Sequence, residues 1–252
     1  GLLQEGDPAD FLVVDNLKDL NIITTYINGN IVSSQGKTNI EHRKFETINC
    51  FNVEKKDLKD FILPCNGEKI QVIEAIDGQL ITNDLLLEPK INNGNAVSDV
   101  ERDILKIAVV NRYKNSKVAI GFIRNFGLKK GAIVSSIAHD SHNIVSVGVS
   151  DEDICNAVNM IIENRGGIGC VSGENKILLG LPVAGIMTFE EYSKVADSYR
   201  HVTNFAKSLG CTLKAPFMTL SFMALLVIPK IKIGDKGLFD SERFMLTDLF
   251  IN

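Results

Sequence analysis

Gly131-Ala132-Ile133-Val134-Ser135-Ser136-Ile137-Ala138-His139-Asp140-Ser141-His142-Asn143-Ile144-Val145-Ser146-Val147-Gly148-Val149 is the stretch on which the fold turns. Its two apolar ends read as buried strands or strand ends, too short for helices and rich in β-branched residues. Between them, Ser135 to Asn143 carries two of the chain's four histidines, a carboxylate, three hydroxyls and an amide. Buried polar groups need partners, so such a cluster is either a functional rim or a costly polar core. Directly afterwards Ser150 reads as a helix N-cap with Asp153 three residues on. Ile154, Ala157, Val158, Ile161 and Ile162 then share one face before Gly166-Gly167 stops the helix.

Outward from this core, strands and helices alternate with hairpins. Thr188 and Glu191 form a capping-box pattern. Phe189, Tyr192, Val195, Ala196, Tyr199, Val202, Phe205, Ala206 and Leu209 follow at spacings of three and four, predicting a helix that ends at Gly210. Lys69–Ala75 and Gln79–Thr82 flank an Asp77-Gly78 turn, Glu101–Asn111 and Lys117–Phe122 read as further strands, and Val53–Phe61 as a short amphipathic helix. At the start, Ala9–Asp15, Ile22–Ile27 and Ile31–Ser33 are strands joined through an Asn28-Gly29-Asn30 turn. Two or three such strands bury too little to stand alone, which predicts a sheet completed by strands upstream of Gly1. The expected class is α+β: residues 1–48 are the end of a small β-sandwich, and residues 49–252 an α/β layered sandwich of stacked sheets covered by helices.

Charge and cysteines narrow the function. With 27 Lys+Arg against 31 Asp+Glu, net charge −4, no global field attracts nucleic acid or an anionic membrane. Five cysteines without a C-x-x-C pair argue against a disulfide framework or zinc knuckle and place the chain in a reducing cytosol, so cytoplasmic. The strongest apolar run, Phe217–Ile228, holds Thr219 and Ser221 and is stopped by Pro229, a core segment rather than a membrane span. A chain that opens at Gly1 inside a Gly-Asp-Pro-Ala-Asp turn reads as the middle of a larger protein.

His139 and His142 are three apart, a spacing that in a tight loop sets two imidazoles on one metal, but no third ligand is spaced to join them. The plainer reading has them bracing a turn, with Asp140 and Asn143 bonding local backbone. Acid-base work by His139 or His142 beside Asp140 is chemically sensible as well, since a carboxylate holds a tautomer and raises a pKa. Asn164-Arg165-Gly166-Gly167-Ile168-Gly169 follows a helix instead of opening one, so it reads as a C-cap and not a phosphate loop. Cys155 and Cys170 have no base beside them and read as structural thiols.

Three segments together resemble one family. Phe126-Gly127-Leu128-Lys129-Lys130-Gly131-Ala132 running into Ser136–Asn143, then Leu181-Pro182-Val183-Ala184-Gly185, then Pro216–Phe222 with Pro229 and Gly237-Leu238, resemble the C-terminal region of bacterial adenine deaminases. Gly6–Asp15 and Ile27–Val32 are similar to the closing strands of the small β-sandwich that amidohydrolases build beside their barrel. The likeness covers nearly the whole chain and is weakest between about residues 40 and 70. Two departures stand inside it: Tyr113 and Leu226 occupy positions where the family often carries histidine and proline.

The resemblance implies an enzyme of purine salvage that hydrolyses adenine, using manganese or iron held in an upstream (β/α)₈ barrel. The histidines here, His42, His139, His142 and His201, show no His-x-His pair, so no metal ligand is expected in this chain and it is expected to be inactive alone. His139, Asp140 and His142 are then supporting or pocket-closing residues, with Ser141 and Asn143 as substrate-binding candidates and a homo-oligomer as the expected assembly. The alternative is an oligomerisation or interaction module in which the cluster only braces a turn and Phe217–Ile228 supplies subunit contacts.

Overall fold

The computed structural model describes residues 2–41, 43 and 45–252; Gly1, His42 and Lys44 lie outside the described residues. The chain divides into two compact units, Gly1–Glu46 and Thr47–Asn252. The first is an antiparallel sheet of β1 (Phe11–Val14), β2 (Ile22–Ile27), β3 (Asn30–Ser34) and β4 (Lys37–Thr38) in sequential order. Asn28 and Gly29 both take left-handed φ values, 48° and 75°, as a two-residue hairpin turn requires. None of this unit's described residues is buried.

In the second unit the strands and helices follow in the order β5 (Lys69–Ala75), β6 (Thr82–Leu87), β7 (Lys90–Asn92), β8 (Asn95–Val97), β9 (Ile104–Val110), β10 (Ala119–Arg124), β11 (Ala132–Ser135), β12 (Ile144–Gly148), α1 (Asp151–Asn164), β13 (Gly167–Ser172), β14 (Asn175–Gly180), α2 (Tyr192–Ser208), α3 (Pro216–Phe222), β15 (Ile231–Gly234), β16 (Gly237–Asp240), β17 (Met245–Leu246) and β18 (Phe250–Ile251). Nine of these strands make one mixed sheet in the order β14-β13-β11-β12-β9-β10-β5-β18, with β6 also on β5. Strand β9, Ile-Leu-Lys-Ile-Ala-Val-Val, is buried along its whole length. Leu105, Ile107 and Val109 face a core with Val202, Leu209, Phe217, Leu220 and Ile233, so α2, α3 and the small sheet of β15, β16 and β17 cover that side. Ala108 and Val110 face Ile154, Val158 and Ile161 of α1 on the other side. The architecture is the expected α+β arrangement of stacked sheet and helical layers.

Helix α1 begins as its sequence predicts. Ser150 Oγ accepts the amide of Asp153 at 3.1 Å, and Arg165 ends the helix in the left-handed region. Three expectations are corrected. Thr188 does not open α2; its hydroxyl accepts the Glu190 amide at 3.2 Å in a local turn, and the helix starts at Tyr192 with Glu191 as an N-cap that makes no side-chain bond. Val53–Phe61 is no amphipathic helix: Asn159 of α1 accepts the Lys56 amide at 2.8 Å and donates to its carbonyl at 2.9 Å, leaving only a 3₁₀ turn at Leu58–Phe61. The strand expected from Glu101 starts at Ile104, because the Asp99 carboxylate takes the amides of Glu101 and Arg102 into a turn.

Candidate functional site

The cluster is the connection between neighbouring antiparallel strands. Ala132 pairs with Gly148 and Ser135 with Val145, so residues 136–143 loop out at one end of the sheet. Because Ile144 pairs with Val110, the β9–β10 connection that begins at Asn111 emerges beside it. The Gly166–Gly167 turn and the segment after β14 reach the same end, since Ser135 pairs with Ile168 and Gly167 with Gly180.

The floor of the loop is fully tied. Ser136 Oγ donates to the Gly185 carbonyl at 2.5 Å and accepts the Gly167 amide at 2.8 Å. Ser135 Oγ accepts the Ile137 amide at 2.9 Å. Asn143, buried, accepts the Arg112 amide at 3.3 Å through Oδ1 and donates to Ser141 Oγ at 3.1 Å. Above this floor the chemistry opens out: Asp140 and Ser141 are exposed, while His139 and His142 are half-buried. The ring of His139 stacks on Phe222 of α3 at 4.9 Å, and the two imidazoles meet edge to face at 5.4 Å. Burial lowers the proton affinity of His142 below its ordinary value. The neighbouring His139 and Arg112 push the same way, and Asp140 opposes them.

Sequence reasoning missed Arg112. It is 4% exposed, donates through Nη1 to the Ala184 carbonyl at 2.6 Å and through Nη2 to the Tyr113 hydroxyl at 2.9 Å, and lies against the rings of Phe51 and Tyr113. No carboxylate pairs with it among the described residues, and its Nε has no partner there. The Tyr113 hydroxyl in turn donates to the Ser141 carbonyl at 2.7 Å, clasping the apex of the loop. No local pattern marks it: Arg112 stands two residues beyond the end of β9, and its partners lie far along the chain or are the neighbouring Tyr113.

The two histidines meet no third ligand among the described residues. Among the described residues no three His, Cys, Asp or Glu side chains converge as ligands, and His201 sits apart on the exposed face of α2. All five cysteines are free; Cys155, Cys170 and Cys211 are buried, and burial raises Cys155 and pushes Cys170 to about 12 and Cys211 to about 11. A cleft of about 840 Å³ lies elsewhere in the second unit, lined by Lys59, Lys117, Asp235 and Phe250 among others and by no residue of the loop. No described helix is long and apolar enough to cross a membrane.

Comparison with known proteins now supplies what the geometry lacks. The family described as "Adenine deaminase C-terminal domain" matches residues 79–245, which contain the whole loop, Arg112 and the helices α1, α2 and α3. The class is therefore the C-terminal α+β domain of a hydrolase family. The chain belongs to the adenine deaminase family. It is 51% identical to the adenine deaminase of Methanosarcina mazei over 99% of this chain and 47% of that protein. To that of Salinibacter ruber it is 46% identical over 100% and 46%, and to that of Borreliella burgdorferi 45% over 98% and 46%. The chain spans about half the length of the curated relatives it matches.

Proposed function

We propose that these residues form the C-terminal portion of an adenine deaminase, which converts adenine and water to hypoxanthine and ammonia in purine salvage in the cytoplasm. In this reading the oxygen of water adds at the amine-bearing carbon and the C–N bond breaks; one water proton leaves with the amino group as ammonia, and the other stays on the ring nitrogen of hypoxanthine. Manganese or iron would be held by an upstream (β/α)₈ barrel and would supply the activation of that water. Among the described residues no cluster of ligands fits such a metal, so in this reading they act by shaping the pocket, and the 252 residues alone are expected not to turn over adenine. Residues 1–48 contribute the end of the small β-sandwich and residues 49–252 the C-terminal domain.

The observation that carries the reading is the contrast inside the loop. Ser135, Ser136 and Asn143 are buried and bonded, a rigid base of the kind that positions a binding group. His139, Asp140 and His142 present imidazole and carboxylate groups above it, where they close the purine pocket, and Ser141 and Asn143 bind or orient the substrate. Replacing His139, Asp140 or His142 by alanine in the complete enzyme lowers kcat/KM by about tenfold or more, roughly 1.4 kcal/mol each. Unchanged kinetics with an unchanged urea midpoint would sink this reading. The protein is also proposed to be a homo-oligomer, for Met218 and Val227 are 54% and 59% exposed within the apolar run. A monomeric mass for the complete protein in sedimentation removes that part and makes the interaction-module alternative untenable.

A further inference from the structure

We propose that His142 serves as a hydrogen-bond donor, through Nε2–H, to an acceptor atom of the bound purine ring, and that the Ala138 amide and Arg112 hold it in that form. The proposal rests on the reading of the loop as a pocket-closing element and assigns one atom of it. The loop closes on itself at this residue: the His142 amide donates to the Ala138 carbonyl at 2.6 Å, and the Ala138 amide donates back to His142 Nδ1 at 3.3 Å. A nitrogen that accepts an N–H carries no proton, so a neutral imidazole here has its hydrogen on Nε2. Nε2 has no hydrogen-bond partner among the described residues, although the ring is half-buried. A half-buried donor left open on a residue whose amide and Nδ1 are both bonded is a recognition group waiting for an acceptor.

The surroundings keep the ring neutral. The charged and titratable groups that act on it are His139 and Asp140 of its own loop and Arg112 of the β9–β10 connection, while α3 contributes only the uncharged Ser221 and Phe222, which contact His139, and the Tyr113 hydroxyl bonds the adjacent Ser141 carbonyl. Burial, His139 and the uncompensated Arg112 guanidinium disfavour a second proton more than exposed Asp140 favours it. At neutral pH His142 is therefore a donor at Nε2 with a fixed tautomer, its one unprotonated nitrogen, Nδ1, being engaged by the Ala138 amide. A purine ring offers acceptor nitrogens to such a donor, whereas a protonated imidazole would not discriminate it from an anion.

Nitrogen-15 spectra of the imidazoles in the 252-residue chain, with His142 assigned through its own backbone amide, test the state directly. The expected result is a bare Nδ1, a protonated Nε2, a midpoint below about 6.5, and a higher midpoint in Arg112→Met. In the complete enzyme His142→Gln, whose amide nitrogen reaches the Nε2 position, keeps kcat/KM within about threefold, while His142→Asn and His142→Ala lose about tenfold or more. A proton on Nδ1, or a midpoint at or above the ordinary value, overturns this inference and leaves the pocket-closing reading standing. A glutamine variant as impaired as alanine overturns the donor role. The expected tautomer with all three variants fully active overturns the pocket-closing reading and this inference with it.

Discussion

Gly185→Ala tests how the site is held. Gly185 has φ +71°, and a Cβ there would fall onto Arg112 Nη1, with Phe51 Cε2 at 3.2 Å behind it. The left-handed backbone alone costs an alanine about 1–2 kcal/mol. Moving the guanidinium breaks its 2.6 Å bond to the Ala184 carbonyl, a charged hydrogen bond contributing about 1.5–3 kcal/mol. The sum is about 2.5–5 kcal/mol, less whatever local adjustment recovers. With a urea slope of about 3 kcal/mol/M, the denaturation midpoint of the 252-residue chain falls by about 1 M or more. Gly180→Ala is the control: no heavy atom lies within 4 Å of its added Cβ and its φ is not left-handed, so its midpoint moves by less than about 0.5 kcal/mol allows. If the two variants unfold together, Arg112 does not depend on this glycine and the reasoning fails.

Other buried charges give sharp contrasts. Lys106, 1% exposed at its side chain, pairs with Asp151 at 2.5 Å and with the Phe61 carbonyl at 3.0 Å. Asp151→Ala strands that ammonium and costs about 3–5 kcal/mol. Lys106→Met costs only about 1–2 kcal/mol in the same urea titration, because Asp151 is 22% exposed in the first turn of α1, where the helix dipole welcomes it; equal losses would contradict the account. Lys232 is fully buried with one bond, Nζ to the Leu80 carbonyl at 2.6 Å, and burial brings its pKa from 10.5 down to about 8. The unfolded chain holds that proton longer, so stability rises with pH between about 8 and 10.5 by at most on the order of 3 kcal/mol. Lys232→Met lacks this rise, and an identical pH profile for both proteins would refute the assignment.

Local signals were legible where local contacts decide. The strand, loop and strand around His139, the Ser150 cap and the Asn28-Gly29 turn all stand where their residues place them, since each depends on neighbours within a few positions. The hairpin of β13 and β14 was not legible. Gly167 and Gly169 lower its strand propensity, yet a Cβ at Gly169 would press on the Ile177 carbonyl and the Met160 methyl, so close packing requires glycine there. Lys106 in the middle of an apolar strand gave no hint of Asp151, 45 residues on. Arg112 was equally silent, because its partners come from Ala184, Phe51 and the adjacent Tyr113, brought together only by the sheet order.

The most direct measurement is a crystal structure of the complete enzyme with hypoxanthine bound. The account predicts the purine beside residues 139–143, with His142 Nε2 about 3 Å from a ring nitrogen or the exocyclic oxygen. A purine seated more than about 10 Å from every side chain of that loop, beyond any direct or water-bridged contact, would contradict it.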